Sequence, residues 1–195
     1  MAKLYFRYGA MGSSKSANAL MVKHNYEERH QKVLLLKPAV DKRDGETVIL
    51  SRCGHNSPCD DFDFLYSDPF SPDNYQCIIV DEAQFLDKED IERLVSLVEE
   101  YNLPVVAYGL RADFRGDLFE GSKWLLAWAD SIEEVKTICW CGKKATYNAR
   151  IIDGKVVKTG EQIVLGADDM YVGLCRKHWK QGELGPWGQP SSIGS

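Results

Sequence analysis

The stretch "YGAMGSSKSANAL" (8–20) constrains the chain most, because it joins an apolar segment to a helical one. Before it, "KLYFRYGA" (3–10) is apolar and aromatic and breaks at glycine, which predicts a strand. After it, "SKSANALMVKHNYEERHQ" (14–31) spaces Ala17, Leu20, Met21 and Tyr26 at helical intervals. "KVLLLKPAV" (32–40) then reads as a short strand of the buried, parallel-sheet type. The result is a βαβ unit with a glycine-bearing turn after its first strand. Such a turn is an anion cradle, since backbone N–H groups and a helix N-terminus point at one place. The phosphate-loop pattern G-x-x-x-x-G-K-[ST] is met by Gly9, Lys15 and Ser16, with Ala10, Met11, Gly12 and Ser13 between. Lys15 would place a charge on the outer phosphates, and the Ser16 hydroxyl is a ligand type suited to Mg²⁺. The glycine expected before the lysine is Ser14. Serine fits there only with a negative φ, or with strain offset by the surrounding loop. The competing reading is a small-residue turn with a surface lysine.

A second strand favours the phosphate reading. "YQCIIVDEAQFL" (75–86) runs its apolar core, Cys77 to Val80, into Asp81 and Glu82. Successive strand residues face opposite ways, so Asp81 can serve a metal while Glu82 acts on a nucleophile. A solvated acidic strand end is the plain alternative, but two such elements at the ends of two strands point to a nucleoside triphosphate site. Further along, "DKEDIERLVSLVEEYN" (87–102) is an amphipathic helix and "PVVAYGL" (104–110) another buried strand. Residues 111–122 read as a loop and 123–131 as a short helix. Residues 41–74 mix turn formers with one apolar stretch, "TVIL", and read as a flexible excursion with a short strand. Past 133 come short β-prone pieces and an Asp-Gly turn at 153–154. The expected division is a core domain 1–132, a small lobe 133–182 and a flexible tail 183–195.

The formal net charge is −5 with no long basic run, which argues against a nucleic-acid or anionic-membrane surface. No apolar run approaches the ~20 residues of a membrane helix. The start has no signal-type pattern, so a cytoplasmic location is the default. Of six cysteines, three fall in the last 57 residues beside His178, and in a reducing compartment that clustering suggests metal before disulfide. Cys139-Trp-Cys141 and Cys175-Arg-Lys-His178 supply four N/S ligands, the number for a closed structural zinc site. The first pair is shorter than the common C-x₂-C, which implies strained geometry or weak binding. Buried thiols without a metal are the alternative.

"DEAQ" resembles the DExx box of helicases, but the chain is too short and too acidic for two motor domains. It also lacks the N-K-x-D motif of a GTPase. "YGAMGSSKS", "VDEAQFL", "AYGLRADFRGDLFEGSKWLLAWAD", "KTICWCGKKAT" and "YVGLCRKH", in that order, resemble the type II thymidine kinase family of bacteria and the animal cytosol. The resemblance spans residues 3–180. It implies an α/β P-loop (RecA-like) core with a mostly parallel sheet, a small zinc-binding β lobe and a lasso-like loop. It further implies transfer of the γ-phosphate of ATP to the 5′-hydroxyl of thymidine, giving dTMP and ADP in nucleoside salvage.

On the same resemblance, residues Gly9 to Ser16 hold the ATP phosphates with Asp81 and Gln84. Asp41 and Arg43 work near the phosphates and Mg²⁺, and Glu82 is the base for the 5′-hydroxyl. Met11, Phe85, Leu110 and Phe114 line the thymidine pocket, and Tyr171 sits on a loop, 150–171, that closes over the nucleoside. Without the resemblance, Leu110 and Phe85 would be read as core and "DKRDG" as a charged turn. Zinc at Cys139, Cys141, Cys175 and His178 would pin both feet of the loop. The family pattern assigns nothing to Cys53, His55 and Cys59, which read as a mobile loop. The family also implies a homotetramer and feedback inhibition by dTTP, with no nucleic-acid or membrane partner.

Two rival readings stand beside this one. A P-loop ATPase or regulatory protein would lack a nucleoside acceptor, and would have no need of the zinc lobe or the Tyr171 loop. An inactive zinc-binding interaction module would require Lys15, Asp81 and Glu82 to be vestigial.

Overall fold

The computed structural model describes residues 1–39, 47–163 and 170–188. In chain order the elements are β1 (Leu4–Tyr8), α1 (Lys15–Glu27), β2 (Val33–Lys37), β3 (Val48–Leu50), β4 (Asn56–Pro58) and β5 (Asp60–Asp61). There follow β6 (Cys77–Val80), α2 (Lys88–Tyr101), β7 (Val105–Gly109), α3 (Glu120–Trp128) and β8 (Ser131–Glu134). The last part holds β9 (Tyr147–Ile152), β10 (Lys155–Val157), β11 (Met170–Leu174) and α4 (Arg176–Gln181).

Strands buried on both faces need helices on both sides, which suits a parallel sheet. The six-stranded sheet runs β5-β2-β6-β7-β1-β8, and each of its pairs is parallel. One face packs Leu4, Phe6, Leu36 and Val80 against Ile91 and Leu94 of α2 and Leu125 of α3. The other packs Leu35, Ile79 and Val106 against Ala19 and Leu20 of α1. One strand, β7, separates the strand before the phosphate loop from the strand before the acid pair, as in RecA-like cores. Tyr8 lies level with Gly109, and Val80 with Ala107, so these strands end at one edge.

Several local expectations are corrected. Residues 47–74 are ordered into the β3–β4 hairpin, β5 and 3₁₀ turns at Phe62–Tyr66 and Pro72–Asn74. The turn-rich composition reflects very short strands, and Phe62 and Leu65 anchor the segment in the core. Cys53, His55 and Cys59 therefore belong to a hairpin and its exit. The strand expected over 75–86 stops at Val80, because Glu82 turns left-handed (φ 53°) and Ala83–Phe85 is a 3₁₀ turn. Helix α3 starts at Glu120 and ends at Trp128, and the residues after it form β8, which pairs with β1. "SIEE" hides that role because an edge strand is half solvated and polar. Asp41 and Arg43 lie outside the described residues, as does the tail beyond 188.

The small lobe is a three-stranded antiparallel sheet, β10-β9-β11, followed by α4. The loop expected over 150–171 thus begins inside β9 and includes β10, and residues 164–169 of it lie outside the described part. Among the described residues no helix is long and apolar enough to cross a membrane.

Helix α2 begins with a reciprocal cap: Asp87 accepts from the Asp90 N–H and Asp90 accepts from the Asp87 N–H. Each bond satisfies a donor that has no partner within the helix. Asp87→Ala should cost about 1 kcal/mol. A thermal melt should show this as a midpoint lower by roughly 2–4 °C.

Candidate active site

The sheet edge at which β1, β6 and β7 end is where the polar chemistry gathers. Gly9 N donates to Gly109 O at 3.2 Å, and Asp81 N donates to Leu36 O at 2.9 Å. Between β1 and α1 the loop closes on itself, with Ser13 N donating to Ala10 O at 3.2 Å. Gly12 takes φ +77°, a conformation glycine adopts without penalty. Ser14 is also left-handed, at φ 60° and ψ 30°, so the serine in place of the usual glycine is held in a strained conformation. Lys15 opens α1 and is 8% exposed. Its Nζ donates to Ala10 O (3.1 Å) and Ser13 Oγ (3.2 Å). The loop, Lys37, the β3–β4 hairpin, Asp81 and Glu82 enclose a cleft of about 280 Å³.

The two carboxylates differ in setting. Asp81 is buried, and burial, then the charge of Glu82, pushes its carboxyl up to about 7, against the pull of the Ser16 hydroxyl and Lys15. Ser16 and Asp81 together present hard oxygen donors of the kind Mg²⁺ takes. Glu82 is half-buried and left-handed, with its N–H bonded to Asp81 Oδ1 at 3.0 Å. Its carboxylate accepts from the Gln84 side-chain amide. Gln84 is buried behind Glu82, and its Oε1 accepts from Leu110 N at 3.1 Å. Gln84 thereby braces Glu82 against the end of β7.

The side chains expected around a nucleoside lie on the phosphate loop (Met11), the segment after β7 (Leu110, Phe114) and the small sheet (Tyr171), with Phe85 in the 3₁₀ turn after β6. Met11, Phe85, Leu110 and Tyr171 are half-buried and Phe114 is buried. Phe85 meets Phe119 edge-on at 5.7 Å. The Arg150 guanidinium covers the Phe114 ring at 5.4 Å, and Tyr171 lies opposite Arg150 in the β9–β11 pairing. Asn148, on the small sheet, joins it to the phosphate loop and to the segment after β7: its Oδ1 accepts from Met11 N (2.8 Å) and its Nδ2 donates to Ala112 O (2.7 Å). A Cβ at Gly173 would stand 2.8 Å from Met11 O, so only glycine lets β11 approach the loop.

Sequence reasoning missed Asn148, Gly173 and Lys37. Lys37, 2% exposed, has its Nζ donating to Val48 O at 3.0 Å. A lysine closing an otherwise apolar buried strand was the available signal. Asn148 carried none, since its partners are backbone groups distant in sequence.

In the small lobe, one ligand atom from each of Cys139, Cys141, Cys175 and His178 lies within 4.8 Å of the other three. Cys139 Sγ is 3.4 Å from His178 Nδ1, and Cys141 Sγ is 4.0 Å from Cys175 Sγ. Tetrahedral Zn–S bonds of about 2.3 Å put sulfurs about 3.8 Å apart, so the cluster is compatible with zinc. The short Cys-x-Cys pair reaches it through a tight turn, with Gly142 N donating to Cys139 O at 2.8 Å. Burial pushes the Cys139 thiol up, whereas the Lys143 backbone lowers Cys141. The other face of His178 meets Trp140 in a stack at 4.3 Å, and its Nε2 lies 3.5 Å from Glu183. A carboxylate behind a ligating histidine fixes its ring and tautomer. Among the described residues, Cys53, His55 and Cys59 are not gathered into such a cluster.

A parallel α/β core with a phosphate loop after β1 and an acid pair after β6 defines a P-loop phosphate-transfer protein. The family model described as thymidine kinase matches residues 2–179, and the chain belongs to that family. The thymidine kinase of Enterobacteria phage T4 is 50% identical over 188 residues, covering 93% of this chain and 97% of its own. That of Lactococcus lactis is 47% identical, over 94% of this chain and all of the relative. That of Coxiella burnetii is 47% identical, over 94% of this chain and 97% of the relative.

Two predictions follow from this geometry. Ser14→Gly relieves a left-handed serine at about 1–2 kcal/mol, partly offset by the flexibility glycine brings to the unfolded chain. Its ATP-Mg²⁺ affinity should equal or exceed the parent's. Ser14→Val places a stiff β-branched residue at positive φ and should lose that affinity. Calorimetric titration of the three proteins checks the order. For the metal cluster, protein purified without chelators should hold about one zinc per chain, and Cys175→Ser should lower that content by elemental analysis.

Proposed function

We infer that this chain is an ATP-dependent thymidine kinase. The observation that carries the inference is the convergence, at one sheet edge, of Lys15, the Ser16–Asp81 pair and a Glu82 held in place by Gln84. The 5′-oxygen of thymidine forms a bond to the γ-phosphorus as the bond to the β,γ-bridging oxygen breaks. The electron pair of that bond leaves with ADP, and the hydroxyl proton passes to the Glu82 carboxylate. Phosphoryl transfer asks chiefly for alignment and charge stabilisation. Lys15 and the loop N–H groups supply part of both. Mg²⁺, held by Ser16 and Asp81, would neutralise charge on the outer phosphates.

Finer assignments belong to the same reading. Gly9 to Ser16 hold the phosphates, with Asp41 and Arg43 beside them. Met11, Phe85, Leu110, Phe114 and Tyr171 enclose the base and sugar. Zinc at Cys139, Cys141, Cys175 and His178 holds the small lobe together without entering the reaction. A cytoplasmic homotetramer restrained by dTTP completes the proposal, supported by the family membership.

ADP release from ATP-Mg²⁺, followed with and without each nucleoside, tests the activity. Release should depend on thymidine, whereas release indifferent to it would favour an ATPase. Glu82→Gln should preserve the fold and ATP binding but lower turnover by about 10²–10⁴. Near-parental turnover would remove Glu82 from the chemistry.

A further inference from the structure

The tip of the β3–β4 hairpin hangs over the phosphate loop. Ser51 N donates to His55 O at 2.7 Å, and Gly54 N donates to Ser51 O at 2.9 Å, closing a tight turn. The Ser51 hydroxyl also donates to His55 O at 2.9 Å. At the root of the hairpin, Lys37 holds Val48 O. Arg52 is the first residue of this braced turn, and its Nη1 lies 3.5 Å from where a Cβ on Gly12 would stand. The Arg52 side chain borders the cleft and is exposed. Among the described residues it makes no hydrogen bond or ion pair.

The surroundings of the guanidinium define what it awaits. Lys15 and Lys37 are buried in the walls of the same cleft, and the loop N–H groups and the α1 N-terminus add positive potential. Asp81 and Glu82 line the same cleft, but among the described residues no carboxylate pairs with Arg52, which is suited to a polyanion entering beside the cleft's cations. A planar guanidinium takes two phosphate oxygens at once, which an ammonium cannot do. In phosphoryl transfer the charge spreads over the equatorial oxygens, where a positioned arginine is most effective. We propose that Arg52 is a phosphate-clamping residue that closes on the outer phosphates of the donor nucleotide from the hairpin side of the cleft. The proposal rests on the kinase reading for the identity of the nucleotide. It adds a group that the phosphate-loop pattern does not contain.

The test uses the full chain with Arg52→Ala and Arg52→Lys. Two measurements are made: ATP-Mg²⁺ affinity without thymidine, and steady-state kinetics with it. Because Arg52 is exposed and, among the described residues, unpartnered, both variants should melt as the parent does. Arg52→Ala should lose at least tenfold in ATP-Mg²⁺ affinity and about 10²-fold in kcat/KM for ATP, with thymidine affinity unchanged. Arg52→Lys should fall between, and added guanidinium ion should restore part of the turnover of Arg52→Ala. ATP affinity and kcat/KM both within threefold of the parent would overturn the proposal. A parent that binds ATP yet phosphorylates no thymidine would sink the kinase reading, leaving Arg52 to be judged on ATP affinity alone.

Discussion

The parallel ladder of β1, β7 and β6 is the constraint on which the rest depends. Its register sets Tyr8 level with Gly109 and Val80 level with Ala107, so three chain segments leave the sheet within reach of one another. A slip of one residue would turn every side chain to the opposite face. It would carry Asp81 away from Ser16 and the Gln84 amide away from Leu110. Burial on both faces enforces the register, because Phe6, Ile78, Ile79 and Val105 have almost no exposed surface to trade. The site is thus fixed by apolar packing beneath it more than by polar contacts within it.

The polar contacts perform a different task, joining the core to the small lobe. Asn148 reaches from β9 to Met11 and Ala112, and Gln162 donates to Asp113 at 3.0 Å. Arg115 holds Asp113 at 2.8 Å and also donates to Gly160 O at 3.3 Å. The segment after β7 is therefore stitched to the start of the loop that follows β10. The small lobe has few buried apolar side chains of its own, and two of them are Cys139 and Cys175. A metal at that cluster would hold together a unit whose core is too small to do so alone.

What could be read without coordinates was what depends on local pattern. The strand–loop–helix order around Gly9 and Lys15, the apolar run into Asp81 and the paired Cys/His ligands each announce themselves within a dozen residues. The placement of Gln84 could not be read, because its partners lie two and 26 residues away on different elements. Strand β8 escaped because an edge strand need not alternate, and Ile132 is 44% exposed. Of the hairpin over residues 48–58 only the first strand, within "TVIL", was legible, and its partner escaped because three-residue strands carry no periodicity. Ser14 was legible as an anomaly, but its sign was not: the positive φ appears only in the folded loop.

Two residues bordering the cleft, Ser14 and Glu82, share that left-handed backbone, and neither is glycine. At position 14 glycine is expected to serve equally well, so relief there should carry no functional cost. At position 82 the side chain that suffers the conformation is the one proposed to take the hydroxyl proton. A library selected only for heat resistance would therefore tend to exchange Glu82 for glycine or asparagine, and on the proposed mechanism its most robust survivors would be inert. Screens for hardier variants of this fold must hold that one codon constant.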